Sequence, residues 1–161
     1  MKLKTIRKVE DETELEITGA TLLSIEEAKG LADSLRTYTN WWWLRSAGGW
    51  SNGTAYVDYD GSVYDFGNFV GGSRYGSVRP ALKIKNLESS NLKIGDSIFF
   101  GDREFEIVSN DFAFCKTDIG KHNFREDYKS EGANDYEKSD IKKFIEEWFE
   151  KAKKENENGK D

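Results

Sequence analysis

Three tryptophans in a row, Trp41-Trp42-Trp43, leave the chain few ways to fold. On a strand, side chains alternate, so Trp41 and Trp43 point to one face and Trp42 to the other. A strand with indoles on both faces needs packing on both sides, which places it centrally in its sheet. Residues 47–77 then change character, being dense in Gly, Tyr, Ser, Asn and Asp and nearly free of Leu and Ile. A buried anchor feeding a polar, aromatic loop region reads as a scaffold that presents a recognition surface.

The bulk properties narrow the function classes. Residues 1–161 read as a single domain, with 10 Phe, 7 Tyr and 5 Trp supplying core area despite a hydrophobic fraction of 37%. A net charge of −6 argues against general nucleic-acid or anionic-membrane binding, both of which need a basic face. It leaves a basic partner protein, or mimicry of nucleic-acid charge, as readings. The lone Cys115 forms no intrachain disulfide, and with the single His122 it excludes Cys- or His-rich metal clusters. No apolar run approaches the ~20 residues of a membrane span, and the N-terminus lacks the apolar core of a signal peptide. The expected location is cytoplasmic, with no cofactor.

Along the chain, residues 1–15 read as a short strand or ordered arm. Ser24 and Glu27 have capping-box spacing, and a helix is expected from Ile25 to about Leu35. Asp60-Gly61 between alternating segments signals a two-residue hairpin turn. Pro80 suits the start or edge of a strand over residues 78–84. Gly101-Asp102 marks a second hairpin over residues 97–108, which residues 112–116 extend. Ile141, Phe144, Ile145, Trp148 and Phe149 form an amphipathic stripe on a helix capped by Ser139 or Asp140. Residues 152–161 are expected to be a flexible tail.

At these residues a resemblance emerges. Trp42-Trp43-Leu44-Arg45-Ser46, Asp60-Gly61-Ser62-Val63 and Val78-Arg79-Pro80-Ala81-Leu82 resemble a bacterial and phage domain of unknown function, DUF6273. The helix from Leu22-Leu23-Ser24 matches its place ahead of the tryptophan strand. That domain is similar to the C-type-lectin fold shared with formylglycine-generating enzymes and retroelement variable proteins. The resemblance implies an α+β, C-type-lectin-like fold with two helices on small antiparallel sheets and long irregular loops. Residues 21–84 resemble the family's C-terminal half, and residues 92–149 its N-terminal half. The chain therefore resembles a circular permutant, in which the strand at residues 78–84 pairs with the hairpin at residues 97–108.

Catalysis finds little support. The formylglycine-generating relatives use a cysteine pair, which a single Cys115 does not supply, and His122 has no nucleophile pattern beside it. Asp58-Tyr59-Asp60-Gly61 begins like an EF-hand loop, but its glycine comes too early and the bidentate position is Phe69. A non-enzymatic domain with no metal is the expectation. Trp50, Asn52, Tyr56, Asp58, Tyr59, Tyr64, Asp65, Asn68, Arg74 and Tyr75 have the composition of a binding surface. Alternate tyrosines that merely cover the sheet account for part of this set, and Val57 and Val63 argue that their own face points inward. The tryptophans read as scaffold, and Arg45 as paired with an acid or with carbonyls.

The function expected is a protein-binding module, encoded by a phage or prophage as the resemblance implies. A narrower form is an inhibitor of a host defence system, in the manner of an anti-CRISPR protein, whose target is a basic nucleic-acid-binding protein. The alternative is a carbohydrate-binding or virion-attachment module. Homodimerisation through exposed strand edges stays open.

Overall fold

The structure, a computed structural model, describes residues 2–7 and 12–158. Strands β1 to β5 span Lys2–Arg7, Glu12–Thr21, Trp42–Ala47, Gly53–Val57 and Val63–Phe69. Strands β6 to β11 span Gly76–Ser77, Ala81–Lys85, Ser97–Phe100, Arg103–Ile107, Phe112–Cys115 and Lys121–His122. Helices α1, α2 and α3 span Ile25–Lys29, Asp33–Arg36 and Asp140–Asn158. The protein is mixed α+β, made mostly of antiparallel sheet with few helices. Residues 8–11 and 159–161, on which parts of the expected arm and tail fall, lie outside the described residues.

Where the sequence reads as one domain, the fold divides into two compact units, each drawn from separate stretches of chain. Neither unit is contiguous, so no linker or change in composition marks a boundary. One unit holds β1, β2, Pro80–Thr117 and the part of α3 from Glu146; the other holds Leu22–Arg79 and Asp118–Ile145.

The first unit is a six-stranded sheet in the order β1-β2-β7-β10-β9-β8, antiparallel throughout. Leu82 and Ile84 of β7, Ile98 and Phe100 of β8, and Phe105 and Ile107 of β9 alternate inward to form its core, with Phe149 and Ala152 of α3. Phe100 stacks on Phe149 at 5.4 Å and meets Trp148 edge-on at 6.0 Å. Burial of each such side chain contributes about 1.5–3 kcal/mol. Gly101 takes φ 63 at the first position of the two-residue turn between Phe100 and Arg103, a backbone angle that favours glycine. Pro80 precedes β7, where a missing N–H breaks no ladder bond, and its carbonyl accepts the Cys115 N–H at 3.0 Å.

Two expectations change here. The permuted arrangement requires the strand at residues 78–84 to pair directly with the hairpin at residues 97–108. Instead β10 lies between β7 and β9, with Ala113 opposite both Leu82 and Ile107. Consecutive Ala113, Phe114 and Cys115 are fully buried, so this strand needs cover on both faces and takes an interior place. The direct pairing expected of the permuted arrangement is absent. The chain from Ala152 is also no frayed tail within the described residues, because α3 continues to Asn158 and Ala152 is buried against the sheet.

The second unit is a five-stranded sheet in the order β11-β6-β3-β4-β5. Strand β3 is central, antiparallel to β4 and parallel to β6. Trp42 and Trp43 are wholly buried on opposite faces, and each indole N–H finds a carbonyl. Trp42 Nε1 donates to Arg36 O at 3.1 Å and Trp43 Nε1 to His122 O at 2.9 Å. The expected first helix is broken. Ser24 and Glu27 form the capping box, but α1 stops at Lys29 with Gly30 as its cap, and Ala32 is extended before α2 begins. Glycine costs about 1 kcal/mol in a helix interior, and the break lets Arg36 donate to Leu31 O and Gly61 O at 2.7 and 2.9 Å.

Candidate functional site

The β4–β5 hairpin grows directly from the tryptophan strand, with Trp42 opposite Val57 and Trp43 opposite Tyr56. Val57 is buried and Val63 half-buried, so their face points inward. The turn is longer than Asp60-Gly61 alone. Pairing ends at Val57 and Val63, and residues 58–62 close through Asp58 N–H to Ser62 O at 2.8 Å and Gly61 N–H to Asp58 O at 2.9 Å. Asp60 Oδ1 accepts the Ser62 N–H at 3.0 Å, and these bonds hold its carboxyl below the ordinary carboxylate range. Gly61 sits at φ 87, which a side chain resists.

On the other face, aromatic rings form two groups. Tyr56 and Tyr64 stack at 5.1 Å, and Trp41 meets Tyr56 edge-on at 5.5 Å. Burial first, then the charge of Asp58, push the Tyr56 phenol up, so that carboxylate is within electrostatic reach of the stack. The second group centres on Trp50, nearly parallel to Phe66 at 6.5 Å and to Phe69 at 6.2 Å, with Tyr128 edge-on to Phe69 at 4.9 Å. Glycine makes this packing possible. A Cβ on Gly53 would lie 2.2 Å from Trp50 Nε1, and one on Gly49 would lie 2.7 Å from the Phe66 ring. Asn134 Nδ2 secures the loop by donating to Trp50 O at 3.1 Å.

The ten residues singled out from sequence do not form one patch. Tyr56, Asp58 and Tyr64 meet in the first ring group, and Trp50 belongs to the second. Asn52 and Asn68 are half-buried and engaged locally, Asn52 with Ser51 Oγ at 3.0 Å and Asn68 with the Phe69 N–H at 2.9 Å. Asp65 is exposed on β5. Arg74 and Tyr75 lie beyond β5 and Tyr59 lies in the turn, with no described ring contact to either group. Exposure is 37% for Trp50, 63% for Tyr59, 44% for Tyr64, 66% for Phe66 and 51% for Tyr75. Phe66, with Trp41, Phe69 and Tyr128, was not picked out from sequence. A phenylalanine is ordinarily core, and only its two-residue spacing from Tyr64 places it on the same outward face.

Arg45 behaves as expected. It donates to Glu27 Oε1 at 2.6 Å, Glu27 Oε2 at 3.2 Å and Leu22 O at 2.7 Å, joining β3 to the capping box. Arg79, buried, lies over the rings of Tyr38 and Trp42 at 4.7 and 4.9 Å and donates to Leu35 O at 3.0 Å. Among the described residues no group of three or more His, Cys, Asp or Glu is placed to hold a metal ion. None of the described helices is long and apolar enough to cross a membrane.

What these features define is a mixed α+β protein whose five-stranded unit displays aromatic rings around one hairpin. Residues 8–86, just under half of the chain, match the family model described as "Domain of unknown function (DUF6273)". The match runs from β2 through β7 and contains the tryptophan strand and the ring-bearing hairpin, which supports the resemblance to that family. Neither the curated proteins nor the solved structures gave a match.

Proposed function

We propose that this chain is a non-catalytic, protein-binding module that uses the aromatic face of the β4–β5 hairpin and its neighbouring loops. One observation carries the reading. Trp50, Tyr59, Tyr64, Phe66 and Tyr75 are all exposed within one short stretch of chain, built on a sheet anchored by buried Trp42 and Trp43. Exposed rings at this density along the chain, with Trp50 packed against Phe66 and Tyr64 against Tyr56, mark interaction surfaces, where Tyr and Trp give large contact area at low entropy cost. A C-type-lectin-like fold, in which loops select the ligand, fits the same reading. Its narrower form is a phage-encoded inhibitor of a host defence system that meets a basic, nucleic-acid-binding protein in the cytoplasm.

The test is capture from host lysate by the immobilised chain, beside a Trp50→Ala/Phe66→Ala variant of unchanged melting temperature. A stoichiometric protein retained by the wild type and lost by the variant supports the reading. No such protein, or equal retention by both, overturns it. The near-parallel setting of Trp50 with Phe66 and Phe69, at 23° and 15°, favours a second reading, a carbohydrate-binding or virion-attachment module. Flat rings beside Asn52 and Asn68 offer stacking and hydrogen bonds to a sugar. A glycan-array signal that disappears with Trp50→Ala would select it.

A further inference from the structure

We propose that the Tyr56–Tyr64 stack with Asp58 is a recognition site for a cationic side chain, so that the partner presents an arginine-rich segment to this hairpin. The proposal rests on the protein-binding reading and names the chemistry of the partner. Its first support is geometric. Tyr64 is stacked at 12° and 5.1 Å on Tyr56, Trp41 fixes Tyr56 edge-on, and Tyr64 remains substantially exposed. The face of a phenol ring carries negative quadrupole density and attracts a guanidinium or ammonium within about 6 Å of its centroid.

The second support is charge. Between Arg45 and Arg74 the chain has no Lys or Arg, while Asp58, Asp60 and Asp65 all fall on or beside the hairpin turn; Arg36, which reaches the turn at Gly61 O, is paired with Asp33. Asp60 is engaged with the turn backbone, and Asp58 uses Oδ1 for the Tyr59 N–H at 2.9 Å. A carboxylate so fixed still has lone pairs to offer an incoming donor. Among the described residues no Lys or Arg of the chain lies over Tyr56 or Tyr64. The fold already uses this chemistry internally, where Arg79 lies over the rings of Tyr38 and Trp42. Arginine is favoured over lysine because its planar, weakly hydrated guanidinium both stacks on a ring and pairs with a carboxylate.

The experiment titrates the full chain with oligo-arginine, oligo-lysine and oligo-glutamate peptides by calorimetry at physiological salt. Asp58→Asn, Tyr64→Leu and Tyr64→Phe are compared with Glu88→Gln, an exposed charge in the other unit that controls for nonspecific attraction. The expected order is arginine tighter than lysine, with no binding of glutamate. Asp58→Asn and Tyr64→Leu each weaken the arginine peptide about two- to fivefold, as one exposed cation–π or ion-pair contact does. Tyr64→Phe keeps the ring and binds as the wild type does, and Glu88→Gln has no effect. Absence of arginine-peptide binding, or equal weakening by Glu88→Gln, overturns the proposal. If Tyr64→Leu leaves the peptide affinity unchanged while the captured protein still depends on Trp50 and Phe66, this inference falls and the protein-binding reading stands.

Discussion

Replacing Trp43 should damage the fold far more than replacing Trp50, and the structure gives the size of the difference. Trp43 is fully buried, 4.7 Å from the Trp41 ring and 5.6 Å from Phe124, and donates to His122 O at 2.9 Å. Trp43→Ala removes the packed indole, at about 3–5 kcal/mol, and leaves a carbonyl without its donor, at about 1 kcal/mol or more. Since whole domains are stable by about 5–15 kcal/mol, that variant approaches unfolding. Trp43→Phe gives the graded result, keeping most of the ring and losing chiefly the N–H and a little volume, at about 1–3 kcal/mol. Trp50 is exposed and rests on glycine backbone, so Trp50→Ala should cost less than about 1.5 kcal/mol. Urea unfolding followed by far-UV circular dichroism and indole emission measures all three. Emission follows chiefly the five-stranded unit, which holds Trp41, Trp42, Trp43 and Trp50, whereas Trp148 belongs to the other. A Trp43→Ala cost below about 2 kcal/mol, or a Trp50→Ala cost equal to it, refutes the division into anchor and presenting surface.

Further outcomes are open to measurement. Burial alone would raise the Glu27 pKa, but its bonds with Arg45 and the Ser24 N–H outweigh this and hold it below the ordinary value. A depressed folded pKa gives stability that is full above the unfolded value, near pH ~4.3, and is lost as pH falls through the folded one. Glu27→Gln should therefore lower the neutral-pH melting temperature slightly and flatten the acid limb, and an unchanged acid limb in melting scans would contradict this. Gly53→Ala should unseat the Trp50 indole with little loss of stability, shifting one resonance in 19F-tryptophan spectra; an unmoved spectrum would count against the glycine seat. Cys115, wholly buried, should react with a thiol reagent only as fast as the chain opens, so rapid labelling of the native protein would contradict its place inside the sheet.

Local chemistry was the most legible part of the sequence. Ser24 and Glu27 make the reciprocal bonds of a capping box, and burial on both faces of β3 follows from indoles that have no other way to be covered. Long-range order was harder to read. The periodic face running from Ile25 toward Leu35 hides a break at Gly30, because the apolar spacing continues across it while the Arg36 bonds to Leu31 O and Gly61 O that accompany the break are not visible in sequence. The Asp60-Gly61 signal located the turn, but local hydrogen bonds of Asp58 and Asp60 set its length. The short strand Phe112–Cys115 extends the second hairpin by pairing with β9, as its place in the sequence suggests, but its further pairing with β7, which buries it inside the six-stranded sheet, is not written in local sequence. At the site, aromatic and polar composition found the region. It did not find Phe66, a residue type ordinarily buried, whose ring here lies close against the Gly49 backbone.

The most direct measurement is the affinity of the captured partner for the wild-type chain and for a Trp50→Ala/Tyr64→Leu/Phe66→Ala variant, by calorimetry, with melting temperatures taken in parallel. An affinity loss of at least about a hundredfold is expected, the size seen when a few aromatic anchors dominate an interface, with melting almost unchanged. Equal affinity in a folded variant would contradict it and place recognition on another surface of the chain.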